Sequence, residues 1–217
     1  MAGKNSPLLM TTIAGVFVVI AAVVGILPQM RKDPSPATPV AETNGGSTKG
    51  SSQQLPVALE ALFVPSGWMG DAELGKKRLS FTPLSVDIDG TPEAGVRITY
   101  EPGPAGLGWA GIYWQYPENN WGTLPGRDLR FARAVSFFAR GEAGGEMVQF
   151  MSGGIGGPHP DSFKRSLGTS VLAKEWKSYS IDLATADLSN VIGGFACVIP
   201  SSGAKRTTIY VARLTIR

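Results

Sequence analysis

The sequence predicts an all-β fold, a sandwich of two packed sheets, for residues 56–217. After Leu55, short apolar stretches alternate with polar residues at a period of two, the pattern of half-buried strands. The 217-residue chain contains 28 Gly and 16 Pro, and clusters of Gly, Pro, Asn and Asp separate these stretches as turns would. No stretch after Gln54 has a sustained helical period, so long helices are not expected.

Eight stretches are predicted as strands, which is enough for two packed sheets. They are residues 79–81, 96–101, 109–116, 134–140, 147–151, 176–183, 193–199 and 207–216. Single helical turns are predicted within residues 58–63 and 188–191. In the last strand, alternation is expected to place four residues on one face, namely Tyr210, Ala212, Leu214 and Ile216.

Residues 8–27 form an uncharged run of twenty in which Thr11 and Thr12 are the only polar side chains. About 20 helical residues span the hydrocarbon core of a bilayer, so the run is predicted to be a single-pass transmembrane helix. It is longer than the apolar region of a signal peptide, and no small-x-small cleavage site follows it directly. A retained signal anchor after a short tail, residues 1–7, is therefore favoured over a cleaved signal peptide.

Residues 28–55 are predicted to be a disordered linker, because residues 33–54 are rich in Pro, Ser, Thr and Gly and lack apolar periodicity. The charges beside the helix do not orient it, since Lys4 precedes it while Arg31 and Lys32 follow it. A long spacer is useful where a domain must reach through a wall or a periplasm. We therefore expect the C-terminal domain to be extracytoplasmic, in the cell envelope.

The charge of the folded part argues against nucleic acid as a partner. Residues 1–55 contain four Lys or Arg against two acids, and the remainder contains sixteen against fifteen. A domain so close to neutrality lacks the basic surface that phosphate-backbone binding requires. The one cysteine, Cys197, lies in an apolar run and is expected to be a small buried hydrophobe.

The residue inventory argues against most catalytic mechanisms, so no enzymatic activity and no cofactor are expected. His159 is the only histidine and lies between two prolines, without a nucleophile motif nearby. The chain has too few Cys and His for a zinc site, and residues 153–157 lack the Lys-Ser/Thr of a phosphate loop. A glycoside hydrolase remains open as an alternative, since its two carboxylates are defined by distance in space. The candidates are Glu101, Glu118, Glu142 and Glu146.

The segment 108–122 is rich in aromatic residues and is the most distinctive feature of the domain. Alternation places Trp109, Tyr113 and Gln115 on one face of a strand and Ile112, Trp114 and Tyr116 on the other. One of these two rows is expected to be core, which leaves the other available to a ligand. Flat rings beside amide and guanidinium donors suit a sugar, which has an apolar face ringed by hydroxyls. The predicted ligand-binding residues are Trp109, Tyr113, Gln115, Asn120, Trp121, Arg140 and Gln149. The alternative is that both aromatic rows are packed and the domain binds an envelope protein partner.

Six short strings in residues 63–217 resemble bacterial carbohydrate-binding modules of the galactose-binding-like jelly-roll type. They are Pro-Ser-Gly-Trp-Met-Gly-Asp at 65–71, Trp-Ala-Gly-Ile-Tyr-Trp-Gln at 109–115, Asn-Trp-Gly at 120–122, Phe-Ala-Arg-Gly-Glu at 138–142, Pro-Asp-Ser at 160–162 and Ile-Gly-Gly-Phe at 192–195. The resemblance implies a jelly-roll β-sandwich and a non-catalytic role in binding a carbohydrate or cell-wall glycan.

The same resemblance implies a structural calcium ion. The final strand of such domains commonly contains two adjacent Asp residues, whereas this chain has Ala212 and Arg213 at the corresponding place. An arginine cannot ligate a cation that takes six to eight oxygen ligands. The carboxylates that remain as candidate calcium ligands are Asp71, Asp87 and Asp89.

Overall fold

The computed structural model describes residues 54–70, 77–103, 108–200 and 205–217. These residues contain the 3-10 helix Leu59–Ala61 and eleven strands. The strands are β1 Val57–Ala58, β2 Val64–Gly70, β3 Leu79–Ile88, β4 Thr91–Tyr100, β5 Trp109–Gln115, β6 Ala134–Gly141, β7 Met147–Gly153, β8 Lys164–Val171, β9 Lys177–Asp182, β10 Gly193–Pro200 and β11 Thr207–Ile216.

The strands form two antiparallel sheets packed as a sandwich, which confirms the predicted all-β fold class. Sheet I has the order β3-β4-β11-β6-β9, with β1 pairing onto the end of β11. Sheet II has the order β2-β5-β10-β7-β8. Among these strands, only β3–β4 and β7–β8 are consecutive neighbours within one sheet, and every other connection crosses to the opposite sheet. Such crossings are typical of a jelly roll.

The core lies between the inner faces of the two sheets and is rich in aromatic rings. Phe137 of sheet I lies 4.7 Å from Phe150 and 4.9 Å from Phe195 of sheet II, measured between ring centroids. Trp114 of β5 packs edge-on against Phe195 at 5.2 Å. All four side chains are buried, so the inward row of each strand is fixed by this contact between the sheets.

All eight predicted strands are present, but β1, β2 and β8 were not predicted. β2 contains Pro65 and two glycines, and β8 is largely polar and contains Gly168. Both lie at the edges of sheet II, where one side of the strand needs no ladder partner. Edge strands tolerate Pro and Gly, so sequence patterns that break a central strand do not break these. The turn predicted within residues 58–63 is the 3-10 helix, whereas residues 188–191 form no helical turn.

The alternation predicted for the last strand is wrong beyond Ala212. Arg213 has φ +50°, and the pairing of β11 with β6 shifts in register between Ala212 and Thr215. This bulge inserts an extra residue, so Leu214 and Ile216 point into the core together with Val211. Tyr210 consequently lies on the outer face, opposite the two residues that were predicted to share its side.

The predicted tail 1–7, the anchor 8–27 and nearly all of the linker 28–55 lie outside the described residues. Within the part of the chain that the structure describes, no helix is long and apolar enough to cross a membrane.

Candidate ligand-binding surface

The outer face of sheet II forms a surface that we call the platform. Its rows follow the strand register, in which Gly111 is level with Val198 and Gln149, and Tyr113 is level with Ala196 and Met151. Gly111 and Ala196 in the middle have small side chains, so the surface is shallow there and is bounded by larger side chains at either end. The platform residues are Met69, Trp109, Gly111, Tyr113, Gln149, Met151, Ala196 and Val198, together with Trp121 from the loop after β5.

Two tryptophans stand exposed at opposite ends of the platform. Trp109 begins β5 and is 38% exposed, while Trp121 is 43% exposed and packs edge-on against Tyr113 at 6.1 Å. Tyr113 is the fourth residue after Trp109 along the strand, which corresponds to a span of about 13 Å. The rings therefore bound a shallow surface long enough for a short oligosaccharide.

Gln149 is the predicted polar residue that the structure places beside this floor. It is half-buried on the outward row of β7, between the inward Val148 and Phe150. Its Nε2 donates to Thr169 Oγ1 at 3.4 Å, and the amide otherwise has no hydrogen bond within the described residues. An amide so placed can donate to and accept from hydroxyl groups that lie on the platform.

Gln115 and Asn120 are buried, and their polar atoms are used inside the protein. The Nε2 of Gln115 donates to the Asn120 carbonyl at 2.9 Å, and its Oε1 accepts from Ser66 Oγ at 3.1 Å. The Oδ1 of Asn120 accepts the backbone N–H groups of residues 122, 123 and 124. These amides shape the loop that carries Trp121, which makes them positioning residues beneath the platform.

Tyr113 forms the buried support on which Trp121 rests. Its hydroxyl donates to the Gly153 carbonyl at 3.0 Å and lies 3.2 Å from the sulfur of Met151. Burial, and to a smaller extent the nearby Asp161 carboxylate, raises the pKa of Tyr113 to about 12. The phenol is therefore neutral at physiological pH and remains a hydrogen-bond donor to the loop after β7.

Asp161 fastens the glycine-rich loop 153–163 to the start of β10. Its carboxylate accepts the backbone N–H groups of Ile155, Ile192 and Gly193. Burial raises the pKa of Asp161, while these three backbone hydrogen bonds lower it by a smaller amount. The same loop supports the Trp121 loop directly, since the His159 N–H donates to the Gly122 carbonyl at 2.9 Å.

A Tyr113→Phe substitution is expected to change how stability depends on alkaline pH. Because folding raises the pKa of this phenol from 10.0 to about 12, its contribution is fully present below pH 10 and is lost as pH rises between these values. The full loss is on the order of 3 kcal/mol. Urea unfolding across this range should show a steeper fall for the wild type than for Tyr113→Phe. Equal slopes would contradict the assignment.

Arg140 lies on sheet I, on the opposite side of the sandwich from the platform. Its guanidinium stacks 4.0 Å from the centre of the Tyr210 ring and 5.4 Å from that of Trp176. The structure therefore does not bring Arg140 together with Trp109 and Trp121, and one small ligand cannot contact all three.

The candidate calcium ligands Asp87 and Asp89 lie at the β3–β4 hairpin. Asp87 accepts the Gly90 N–H at 2.8 Å, and Asp89 and Gly90 have φ values of +53° and +79°, as a two-residue turn requires. Two carboxylates provide too few oxygens for calcium, which takes six to eight. Among the described residues no three His, Cys, Asp or Glu side chains are grouped to hold a metal, and Asp71 lies outside them. A calcium ion remains a prediction from the sequence.

A cavity of about 360 Å³ opens between the two sheets, but its described lining contains none of the predicted ligand-binding residues. It is bordered by inner-face side chains that include Phe81, Val96, Trp114 and Leu214. The platform and this cavity are separated by β5, because Trp114 points inward and Tyr113 points outward.

Sequence reasoning did not identify Met69, Met151 or Asp161 as parts of the site. The two methionines widen the apolar floor around Tyr113, and Asp161 holds the supporting loop. Strand alternation on β7 could have indicated Met151, since it lies two residues after Gln149. No local signal indicates Asp161, because its three partners are defined by the meeting of two loops.

Solved structures that are similar to this chain include carbohydrate-binding modules. A family 11 module of the cellulase Lic26A-Cel5E of Clostridium thermocellum has 14% identity and a TM-score of 0.44, over 70% of this chain and 87% of the module. A family 11 module from the same organism, in complex with a β-1,3-1,4-mixed-linked tetrasaccharide, has 14% identity and a TM-score of 0.46, over 69% and 86%.

A family 30 module of the cellulase Cel9D-Cel44B of Clostridium thermocellum has 14% identity and a TM-score of 0.44, over 72% of this chain and 94% of the module. No protein-family model matches the chain, and no curated protein matches it.

Proposed function

We propose that this protein is a non-catalytic carbohydrate-binding module whose ligand lies on the platform between Trp109 and Trp121. The observation that carries the proposal is the exposure of both indole rings at the two ends of one sheet face, across a floor of small and sulfur-containing side chains. Exposed tryptophan is costly in water, and two on one face indicate a binding surface.

The ligand that best fits this surface is an uncharged, equatorially linked oligosaccharide. Axial hydrogens give each sugar ring an apolar face that packs on an indole, while its hydroxyls project sideways. Gln149 and the hydroxyl of Thr169 lie beside the floor and offer donors and acceptors at that level. The platform itself contains no charged side chain among the described residues that form it.

Two candidate catalytic groups are in environments that support a non-catalytic role. Cys197 is buried, and burial raises the pKa of its thiol, so it is not a nucleophile. Glu101 forms an ion pair with Arg206, which engages one of the four carboxylates considered for a hydrolase.

We also propose that residues 8–27 anchor the protein in a membrane and that residues 28–55 hold the module on the extracytoplasmic side. The proposal is supported by the length and apolarity of the run and by the composition of the segment after it. A cysteine introduced in the linker should react with a membrane-impermeant maleimide in intact cells. Labelling only after lysis would contradict the orientation.

Binding to neutral glycans is expected to depend on Trp121. The full chain in mild detergent is titrated by calorimetry with β-linked oligosaccharides of glucose, xylose and N-acetylglucosamine. Removing one stacked ring in Trp121→Ala should weaken the affinity about tenfold, since an aromatic contact is worth up to about 1.5 kcal/mol. Leu124→Ala, which removes an exposed apolar side chain that is not part of the platform, is the control and should retain full affinity.

Two outcomes would overturn the proposal. One is equal affinity in the wild type and in a Trp109→Ala, Trp121→Ala double variant that unfolds at the same temperature. The other is the failure of all oligosaccharides to bind, together with one stoichiometric protein cross-linked through the platform in cells. That second result would make the domain a protein-interaction module of the envelope.

A further inference from the structure

The outer face of sheet I contains a row of aromatic and guanidinium groups that the platform does not use. Tyr210 of β11 is level with Arg97 of β4 on one side and with Arg140 of β6 on the other. Trp176, just before β9, lies beyond Arg140 and packs edge-on to Tyr210 at 6.4 Å. We call these four side chains the arginine row.

Arg140 is held in place by the rings rather than by an acid. Its guanidinium lies over Tyr210, and its Nη1 donates to the Gly141 carbonyl at 3.0 Å. Its Nε and Nη2 have no hydrogen-bond partner among the described residues. A stacked guanidinium keeps its edge free, and that edge matches the two oxygens of a carboxylate.

Arg97 is exposed and makes no hydrogen bond, ion pair or ring contact within the part of the chain that the structure describes. It and Arg140 flank the same tyrosine, so their strands are two ladder spacings apart, about 10 Å. Two like charges on neighbouring outward positions repel one another weakly in water, and an anion bound between them would relieve that repulsion.

Among the described residues, no acid forms an ion pair with Arg97 or Arg140. Glu93 is paired with Arg213, and Glu101 is paired with Arg206 at 3.0 Å. Glu142 follows Arg140 by two residues but forms no ion pair with it among the described contacts. The positive charge of Arg97 and Arg140 is therefore available to a ligand.

We propose that the arginine row binds an acidic polysaccharide, with uronate carboxylates on Arg97 and Arg140 and sugar rings against the parts of Tyr210 and Trp176 that Arg140 leaves uncovered. Charge complementarity selects the carboxylates, and the two rings select sugars among polyanions. The domain as a whole is close to neutral, which disfavours the long phosphate tracks of nucleic acids. The site is independent of the platform, because the two lie on opposite faces of the sandwich.

The test compares polygalacturonate with its methyl ester, which has the same sugars without the charges. The full chain in mild detergent should bind polygalacturonate at least about tenfold more tightly than the ester, and added salt should weaken only the charged ligand. Arg97→Gln should lower the affinity for polygalacturonate about tenfold. The exposed Lys164→Gln on sheet II removes the same unit of charge and should have little effect.

The unfolding temperature of each variant is measured, so that loss of binding can be distinguished from loss of folding. Arg97 has no contact to lose among the described residues, so Arg97→Gln should unfold at the wild-type temperature. Arg140→Lys keeps the charge but loses the planar fork and its stacking on the rings, so its binding is measured below its own unfolding temperature. Equal binding of the acid and the ester would overturn the proposal, and so would unchanged affinity in an Arg97→Gln, Arg140→Lys double variant. Equally tight binding of duplex DNA or of anionic vesicles through the same arginines would also overturn it.

A variant of one surface should weaken only the ligand that binds to that surface. Trp121→Ala should retain polygalacturonate affinity, and Arg97→Gln should retain the affinity for neutral oligosaccharides. Loss of both ligands in either single variant would contradict the assignment of the arginine row as a separate site.

Discussion

Replacing Gly122 with alanine is expected to displace the Trp121 loop and to weaken both folding and neutral-glycan binding. Gly122 has φ +85°, and a Cβ there would lie 1.7 Å from the carbonyl oxygen of Gly156. The left-handed backbone costs about 1–2 kcal/mol for alanine, and relieving the overlap adds about 1–3 kcal/mol. Because Gly122 follows Trp121 directly, separating the two loops is expected to move that ring relative to Tyr113.

The experiment measures urea unfolding and oligosaccharide affinity in the same preparations. Gly156→Ala is the matched control, since it lies on the opposing loop but its added Cβ would meet nothing within 4 Å. We expect Gly122→Ala to lose about 2–5 kcal/mol of unfolding free energy and about tenfold in affinity, with little change in Gly156→Ala. Equal behaviour of the two variants would show that contact between the loops does not position Trp121.

Alternation in the sequence was sufficient to predict the two faces of β5. Trp114 is buried against Phe81 and Phe195, while Trp109 is exposed on the other side. An interior strand keeps a regular pleat between its two neighbours, so counting residues in twos is enough to assign its faces. Edge strands and bulges obey weaker rules, which is why β2 and β8 were missed and the parity of β11 after Arg213 was predicted wrongly.

Which residues share the binding surface could not be predicted without knowing the topology of the sheets. Arg140 and Gln149 both occupy outward positions on predicted strands, yet β6 belongs to sheet I and β7 to sheet II. The sequence of a single strand does not indicate which of the two sheets it joins. Asn120 also has a polar side chain beside an aromatic one, but its amide is committed to backbone groups of its own loop. Exposure of polar groups follows from long-range contacts that strand periodicity does not encode.

Substituting the two tryptophans of β5 one at a time should distinguish a residue that stabilises the core from a residue that binds the ligand. Trp114→Ala should lower the unfolding free energy by about 3–5 kcal/mol, because the side chain is 1% exposed and its removal leaves a cavity between the sheets. Trp109→Ala, five residues earlier on the outward row, should cost about 1 kcal/mol or less. The same substitution in one strand is thus expected to give opposite results in two assays.

Trp109→Ala should instead weaken neutral-oligosaccharide binding about tenfold, since it removes one end of the platform. In Trp114→Ala the affinity should remain near the wild-type value at temperatures where the variant is still folded, because that ring faces away from the ligand. Unfolding by urea and titration by calorimetry distinguish the two effects in one pair of proteins. If Trp109→Ala proved as destabilising as Trp114→Ala and left binding intact, its ring would be a packing residue and the platform would lose its first anchor.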